Sequence, residues 1–202
     1  MVVVLCLLPV AYLVGTFPSA SLVARSRGID ILTSGSGNPG ASNITRLLGW
    51  KLGLVVLLAD IGKGALAAGV GLALDGHRGA YLLGVAAVLG HVFPITRRFK
   101  GGRGVATAAG ALVVVFPLVI LGLGVVWIII ARGLHKASIA SLVCAIAFPT
   151  IVAIRGSSWG DIAVASGLGL LVIARHFSNV RRLIRGEEHG LGSADGGGSV
   201  AA

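Results

Sequence analysis

The sequence predicts an all-α integral membrane protein, and three observations carry that expectation. Of its 202 residues, 55% are hydrophobic and only 12% charged, about half the charge content of an ordinary soluble domain. Apolar runs long enough to cross a hydrocarbon layer of roughly 30 Å recur along the chain. The segments between them are basic, with 17 Lys and Arg against 7 Asp and Glu, a net charge of +10. A mean hydropathy of +0.96 excludes a disordered chain, a coiled coil and a cytosolic enzyme. The cations stand in short clusters at the ends of apolar runs, which suits lipid headgroups and anionic metabolites rather than nucleic acid. Cys6 and Cys144 each lie inside an apolar run and read as reduced packing residues without a disulfide or metal role.

Cutting the chain at its charges leaves six runs: Val2 to Ala24, Leu52 to Leu74, Gly79 to Ile95, Gly104 to Ala131, Ala137 to Ile154 and about Ser157 to Ala174. The fourth run would be about 42 Å long as one helix. Phe116-Pro117 lies near its middle, where proline cannot complete the backbone ladder. The distribution of charge decides how to read it, because cytoplasmic loops collect Lys and Arg. If the run is two short helices turning at Pro117, only Arg78 and Arg155 lie outside and Lys63 lies within a span, while the other fourteen cations, from Arg25 to Arg185, lie inside. If it is one helix, the split falls to nine against seven. The first division obeys the rule far better. The expectation is therefore seven transmembrane helices, two of them short, with the N-terminus outside and the C-terminus cytoplasmic.

The first run has no positive segment ahead of it, and Arg25 and Arg27 follow it, so it is read as a helix that stays and not as a cleaved signal. No internal repeat is visible. Residues 1–185 are expected to form a single membrane domain, and 186–202, rich in Gly, Ser and Ala, a flexible tail.

Three polar clusters stand out. Between the first two runs, Ser34-Gly-Ser-Gly-Asn-Pro-Gly-Ala-Ser-Asn-Ile-Thr-Arg46 is dominated by small and polar residues. Glycines at 35, 37 and 40 allow positive φ and close approach of backbone amides to a ligand. Ser36, Asn38, Ser42 and Asn43 add short hydrogen-bonding groups, and a helix start with Arg46 follows. Such a loop is either a plain capped turn or an anion cradle. Lys100-Gly-Gly-Arg-Gly-Val-Ala-Thr107 surrounds Gly101, Gly102 and Gly104 with two cations at the mouth of another short helix, on the same expected side. After the last run, His176, Asn179 and Arg182 recur every third residue and share roughly one helix face.

Within the second run, Asp60 and Lys63 are three apart on one face, where an unpaired charge costs about 2.5 to 3.5 kcal/mol or more. A mutual pair is expected. His91, Ser138 and Ser141 lie near the cytoplasmic ends of their helices, close to the cationic loops.

Taken together, Gly35-Ser-Gly-Asn-Pro-Gly-Ala-Ser-Asn43, Lys100-Gly-Gly-Arg-Gly-Val-Ala-Thr107 and His176-x-x-Asn179-x-x-Arg182-Leu183 resemble the bacterial acyl-phosphate:glycerol-3-phosphate acyltransferases, the PlsY family. Leu89-Gly-His-Val-Phe-Pro94 and the Ser138/Ser141 pair stand between them in order, and the resemblance covers about residues 1 to 188. It implies transfer of a fatty acyl group from acyl phosphate to glycerol 3-phosphate, giving lysophosphatidic acid at the first acylation of phospholipid synthesis. It also implies a multi-pass protein of the bacterial cytoplasmic membrane with its active site facing the cytoplasm. Its partners would be membrane lipids and the soluble enzyme that makes acyl phosphate, with no cofactor and no metal.

Carried over by that resemblance, His176, Asn179, Ser141 and Arg103 are expected to be catalytic. Ser36, Gly37, Asn38, Gly40, Asn43 and Arg46 of the first loop would bind substrate, as would Lys100, Gly101, Gly102 and Gly104 of the second, with Ser138 and Arg182. Asp60, Lys63 and His91 would support them from behind. The sequence departs from the family at Ser42, where Thr is usual, at Arg103, where a second Lys is usual, and at Phe177, where Arg is usual. The His-x-x-x-x-Asp pair of other glycerolipid acyltransferases is missing: five residues after each histidine stand Leu82, Thr96, Ala140, Arg181 and Ala194. The competing reading, a transporter of an organic phosphate or other anion, draws on Asp60 and Lys63.

The topology is open to direct test. Cysteines placed at Arg78 or Arg155 should react with an impermeant thiol reagent from outside, and cysteines near Arg103, Arg132 and Arg185 only after permeabilisation. External labelling at residue 132 would restore a single long fourth helix.

Overall fold

The computed structural model describes residues 1–191, and these are all helical apart from their connections. In chain order the helices are α1 (Val2–Gly15), α2 (Ser19–Arg25), α3 (Ala41–Leu48), α4 (Trp50–Val92), α5 (Val105–Val113), α6 (Pro117–Gly133), α7 (Ala137–Ile154), α8 (Trp159–Arg175) and α9 (Phe177–Ile184). A single 3₁₀ turn, Ile95–Arg97, follows α4.

α4 is a hairpin that joins the second and third apolar runs. Asp75 and Gly76 leave helical geometry, Gly76 at φ +59°, and the two arms then run back along each other at backbone contact. A Cβ added at Gly71 would lie 2.1 Å from the Gly79 carbonyl oxygen, and one at Gly79 would lie 2.1 Å from that of Gly71. Glycine at both positions is what lets the arms meet. Deeper in the hairpin the arms are held by charge: Lys63 Nζ lies 2.8 Å from Asp60 and 3.1 Å from His91 Nδ1 across the pair.

The fourth run is broken, as expected. Phe116 takes φ −125°, ψ 60°, and Pro117 opens α6 at its first turn, where its missing N–H costs nothing. α5, only nine residues long, spans about 14 Å and cannot cross a bilayer by itself. Its contacts are mainly with α4, again at glycines: a Cβ at Gly64 would meet the Thr107 carbonyl oxygen at 2.0 Å, and one at Gly110 that of Ile61 at 1.9 Å. Without a water-driven hydrophobic force, such backbone proximity is the main source of helix association in lipid. The longest apolar cluster joins α4 and α5 to α6, α7 and α8 through Val88, Leu112, Leu123, Phe148, Val152 and Leu168. The outer face of α6 exposes Leu118, Leu121, Val125 and Ile129 at helical spacing, the stripe expected of a helix whose solvent is lipid.

By length and composition, three segments among the described residues suffice to cross a membrane: Val2–Arg25, Trp50–Arg97 and Ala137–Ile154. A fourth qualifies if α8 and α9, bent by 53°, form one span.

The first residues of the expected tail, 186–191, make polar contacts with the bundle. Glu188 is buried and its carboxylate takes Asn179 Nδ2 at 2.6 Å and Arg182 Nε at 2.9 Å. Lys136 donates to the Glu188 carbonyl, Arg46 Nε to the Gly190 carbonyl at 3.0 Å, and Leu191 N to the His135 carbonyl at 2.6 Å. Residues up to 191 are thus tied down by polar contacts that hydrophobic periodicity cannot reveal. The rest of the expected tail, 192–202, lies outside the described residues.

The α4–α5 contact predicts a stability contrast. Gly64→Ala or Gly110→Ala should cost about 1 to 3 kcal/mol by forcing the helices apart, measured as a lowered Tm in detergent. Gly122→Ala, with nothing within 4 Å of the added carbon, should leave Tm unchanged or slightly higher.

Candidate active site

The first polar loop is built on Asn43. Its Oδ1 accepts from the Ser36 backbone N–H at 3.0 Å and from Arg46 at 3.3 Å, and its Nδ2 donates to the Ser34 carbonyl at 3.0 Å. Asn43 therefore shapes the loop, its side-chain groups being used within the fold. Gly35 and Gly37 take positive φ, at +58° and +68°, which closes the turn and leaves Ser36, Gly37 and Asn38 on its outer edge. Gly40 caps α3.

The second loop rests on the end of α4. Gly102 donates to the His91 carbonyl at 3.1 Å, and a Cβ at Gly102 would fall 2.1 Å from His91 Nε2. The imidazole thus occupies the space a side chain would take, and only glycine can lie there. Gly104, at φ +85°, turns the chain into α5. Arg175, at the end of α8, donates Nη2 to the Gly101 carbonyl at 3.2 Å, which ties the third cluster to this loop.

Two cavities meet at the loops. A polar one of 480 Å³ is lined by Ser36, Gly37, Asn38, Lys100, Gly101 and Arg103, with Leu32, Pro39, Phe99, Ala174, Arg175 and Ser178. A larger, mostly apolar one of 520 Å³ runs between α3, α4, α5, α6, α7 and α8. Its walls include Leu54, Leu57, Leu112, Leu123, Phe148 and Leu168. Its polar members include Asn38, Asp60, His91, Arg103, Ser138, Ser141 and His176, and Gly40 and Gly104 also line it. Asn38 and Arg103 line both.

The expected residues therefore divide. Ser36, Gly37, Asn38, Lys100, Gly101 and Arg103 converge on the polar side, and Gly40, Gly104, Ser138, Ser141, His176, Asp60 and His91 on the apolar side. Asn43, Arg46, Gly102, Lys63, Asn179 and Arg182 line neither. Arg46 braces the first loop and the C-terminal segment, and Asn179 and Arg182 hold Glu188. Lys63 is held by protein groups alone: Asp60, His91 and the carbonyls of Gly15 and Phe17, at 3.3 and 3.0 Å, while Asp60 also accepts from Ser19 at 2.6 Å. Their burial is met inside the fold, which removes the main argument for a transport site. Ser141 donates to the Ala137 carbonyl at 2.9 Å and accepts from Trp127 Nε1 at 3.0 Å. His176 Nδ1 lies 2.8 Å from the Val172 carbonyl. A carbonyl only accepts, so Nδ1 carries the hydrogen, and in the neutral ring Nε2 is left as an acceptor.

Glu188 and Arg175 were not among the expected site residues. Among the described residues, Glu188 is the one buried acid amid the cations of this end of the bundle. Burial by itself pushes its carboxyl up, but hydrogen bonds from Asn179 and Arg182, with the charge of Arg182, outweigh this and hold it below its ordinary value. Burial, aided by Arg182, Arg46 and Arg175 and opposed by Glu188, pulls the Arg103 guanidinium down to about 10. It stays cationic at neutral pH, and its crowded positive setting favours an added anion.

The class defined by this fold and site is a multi-pass membrane protein with cationic glycine loops above an apolar cleft. Residues 5–186 match the sequence model of the glycerol-3-phosphate acyltransferase family. Similar proteins include the glycerol-3-phosphate acyltransferase of Bacillus cytotoxicus, 43% identical over 90% of this chain and 92% of that protein, and that of Salinibacter ruber, 37% identical over 93% and 92%. The crystal structure of PlsY (YgiH), an integral membrane glycerol 3-phosphate acyltransferase, in its glycerol 3-phosphate form superposes with a TM-score of 0.89. It is 36% identical and covers 94% of this chain and 96% of that one; the lysophosphatidic acid form gives 0.86. The chain belongs to the glycerol-3-phosphate acyltransferase family.

The docking of residues 187–191 should depend on pH. A carboxyl held below its free value of 4.5 stabilises the docked state above that value and loses its contribution as pH falls through the docked value. Hydrogen-exchange protection of these amides, corrected for intrinsic rates, should be level from about pH 7 to 5 and fall below about pH 4. Unchanged protection down to about pH 3 would mean that Glu188 does not hold the segment.

Proposed function

We propose that the protein transfers a fatty acyl group from acyl phosphate to the sn-1 hydroxyl of glycerol 3-phosphate, giving lysophosphatidic acid and inorganic phosphate. One observation carries the proposal: a polar, cationic cavity and an apolar cleft share Asn38 and Arg103 as a common edge. A soluble, anionic acceptor suits the first cavity and a fatty chain the second, so the two substrates would meet at Arg103. Phosphate on both substrates gives each cationic loop an anion to hold.

Acyl phosphate is a mixed anhydride with a good leaving group, so the protein mainly has to position the reactants and neutralise charge. The acceptor hydroxyl attacks the acyl carbon, the bond from that carbon to the phosphate oxygen breaks, and the hydroxyl proton passes to a phosphate oxygen. Lys100 and Arg103 clamp phosphate. Ser36 and Asn38 hydrogen-bond glycerol 3-phosphate from the loop that Asn43 and Arg46 brace. His176 orients the acceptor, its Nε2 accepting from the glycerol hydroxyl that does not react. Ser141 and Ser138 lie along the same wall, and Asn179 and Arg182 order it through Glu188.

In this reading the chain forms seven membrane-embedded helices in the bacterial cytoplasmic membrane, N-terminus outside, with the site open to the cytoplasm. The meeting of Arg46, Arg103, Arg175 and Arg182 at one end of the bundle supports that orientation. A soluble enzyme that makes acyl phosphate would supply the donor.

The test is an assay of the purified protein in detergent with palmitoyl phosphate and glycerol 3-phosphate. Lysophosphatidic acid should form, and palmitoyl-CoA should not replace the phosphate donor; product from palmitoyl-CoA alone would sink the assignment of the donor. Arg103→Lys should keep most activity, because a point charge suffices to hold phosphate. Arg103→Ala removes a charge-assisted bond worth about 1.5 to 3 kcal/mol, so kcat/KM should fall at least about tenfold.

A further inference from the structure

We infer that Arg175 completes a phosphate subsite in the polar cavity, together with Lys100 and the Ser36–Asn38 loop. Three features of the side chain lead there. Its Nη2 is tethered to the Gly101 carbonyl at 3.2 Å, and its guanidinium lies over the Phe93 ring, 5.6 Å from the centroid. One edge and one face of the planar group are thereby fixed, which sets the direction of the rest of the fork. Arg175 also lines the polar cavity, which the Ser36–Asn38 loop lines too.

Charge balance supplies the second argument. Among the described residues no carboxylate forms an ion pair with Arg175. The buried acid at this end, Glu188, is committed to Arg182 and Asn179. A half-buried guanidinium without a counter-ion, beside Lys100 and Arg103, calls for an anion from outside the chain. A planar donor with fixed orientation suits the paired oxygens of a phosphate monoester better than a carboxylate-free packing role does. In the sequence Arg175 stands only as a basic residue at a helix end; its place in the cavity comes from its contacts with Gly101 and Phe93.

The inference rests on the proposed acyl transfer only for its substrates; phosphate binding is measurable without turnover. Binding of inorganic phosphate to the purified protein should weaken at least about tenfold in Arg175→Gln and be partly restored in Arg175→Lys, a loss of about 1.4 kcal/mol or more. Ser178→Asp, at an exposed position lining the same cavity, should weaken it in the same direction without touching the Gly101 tether. In turnover assays, a raised KM for glycerol 3-phosphate assigns the subsite to the acceptor, and a raised KM for palmitoyl phosphate assigns it to the donor. A lowered kcat with both KM values and phosphate affinity unchanged would reduce Arg175 to a brace for Gly101 and overturn the subsite. If no lysophosphatidic acid forms but both variants still lose phosphate, the subsite stands and the proposed reaction falls.

Discussion

A charged cluster buried in the membrane bundle fixes most of what surrounds it. Lys63 reaches the carbonyls of Gly15 and Phe17, where α1 gives way to α2, and pairs with Asp60 on its own arm and His91 on the other. Ser19 closes the cluster from α2 through Asp60. Three segments distant in sequence are therefore brought to one point by groups that lipid cannot satisfy. Removing Asp60 or Lys63 would leave the other's buried charge uncompensated, so the arrangement is specific in a way that apolar contacts between interchangeable leucines are not. His91 extends the order outward: its ring fills the space at Gly102 and its carbonyl takes the Gly102 N–H. The conformation of the cationic loop is thus set by charge below it.

The site follows from that scaffold by a division of labour between backbone and side chain. Glycines let the two loops approach a ligand and each other, and the cations that give them affinity come from the loops and from the end of α8. The apolar cleft exists because α5 stops short and α6 begins again at Pro117, which opens space between α4, α6 and α7 that one continuous helix would fill. The break in the fourth run and the cleft beside the loops are one feature.

Much of this was legible in the residues. The fourteen-to-two charge division pointed to the turn at Phe116-Pro117, and the glycine spacings marked both loops. The Asp60–Lys63 pair followed from the cost of charge in lipid. The roles of Asn43, Arg175 and Glu188 were not legible, for separate reasons. Asn43 reads like its polar neighbours in sequence, and only the folded loop turns its amide inward. Arg175 gains its place from contacts with Phe93 and Gly101, distant in sequence, which no local pattern around it encodes. Glu188 stands in a stretch without apolar period, which reads as a tail; its docking uses only polar contacts. The Glu187-Glu188 pair directly after a strongly basic segment was the available signal.

The apolar cavity has Trp50, Leu54 and Ile128 among its lining residues, and all three are exposed on the outer surface of the bundle. The polar cavity opens beside exposed Phe99 and Ser178. A ligand that uses both therefore stands astride two reservoirs of different dimensionality. Its head exchanges with a volume and its tail with a sheet two molecules thick. For such a ligand, occupancy depends on mole fraction among the surrounding lipids, so diluting the bilayer with inert lipid is equivalent to lowering its concentration even when the bulk amount is unchanged.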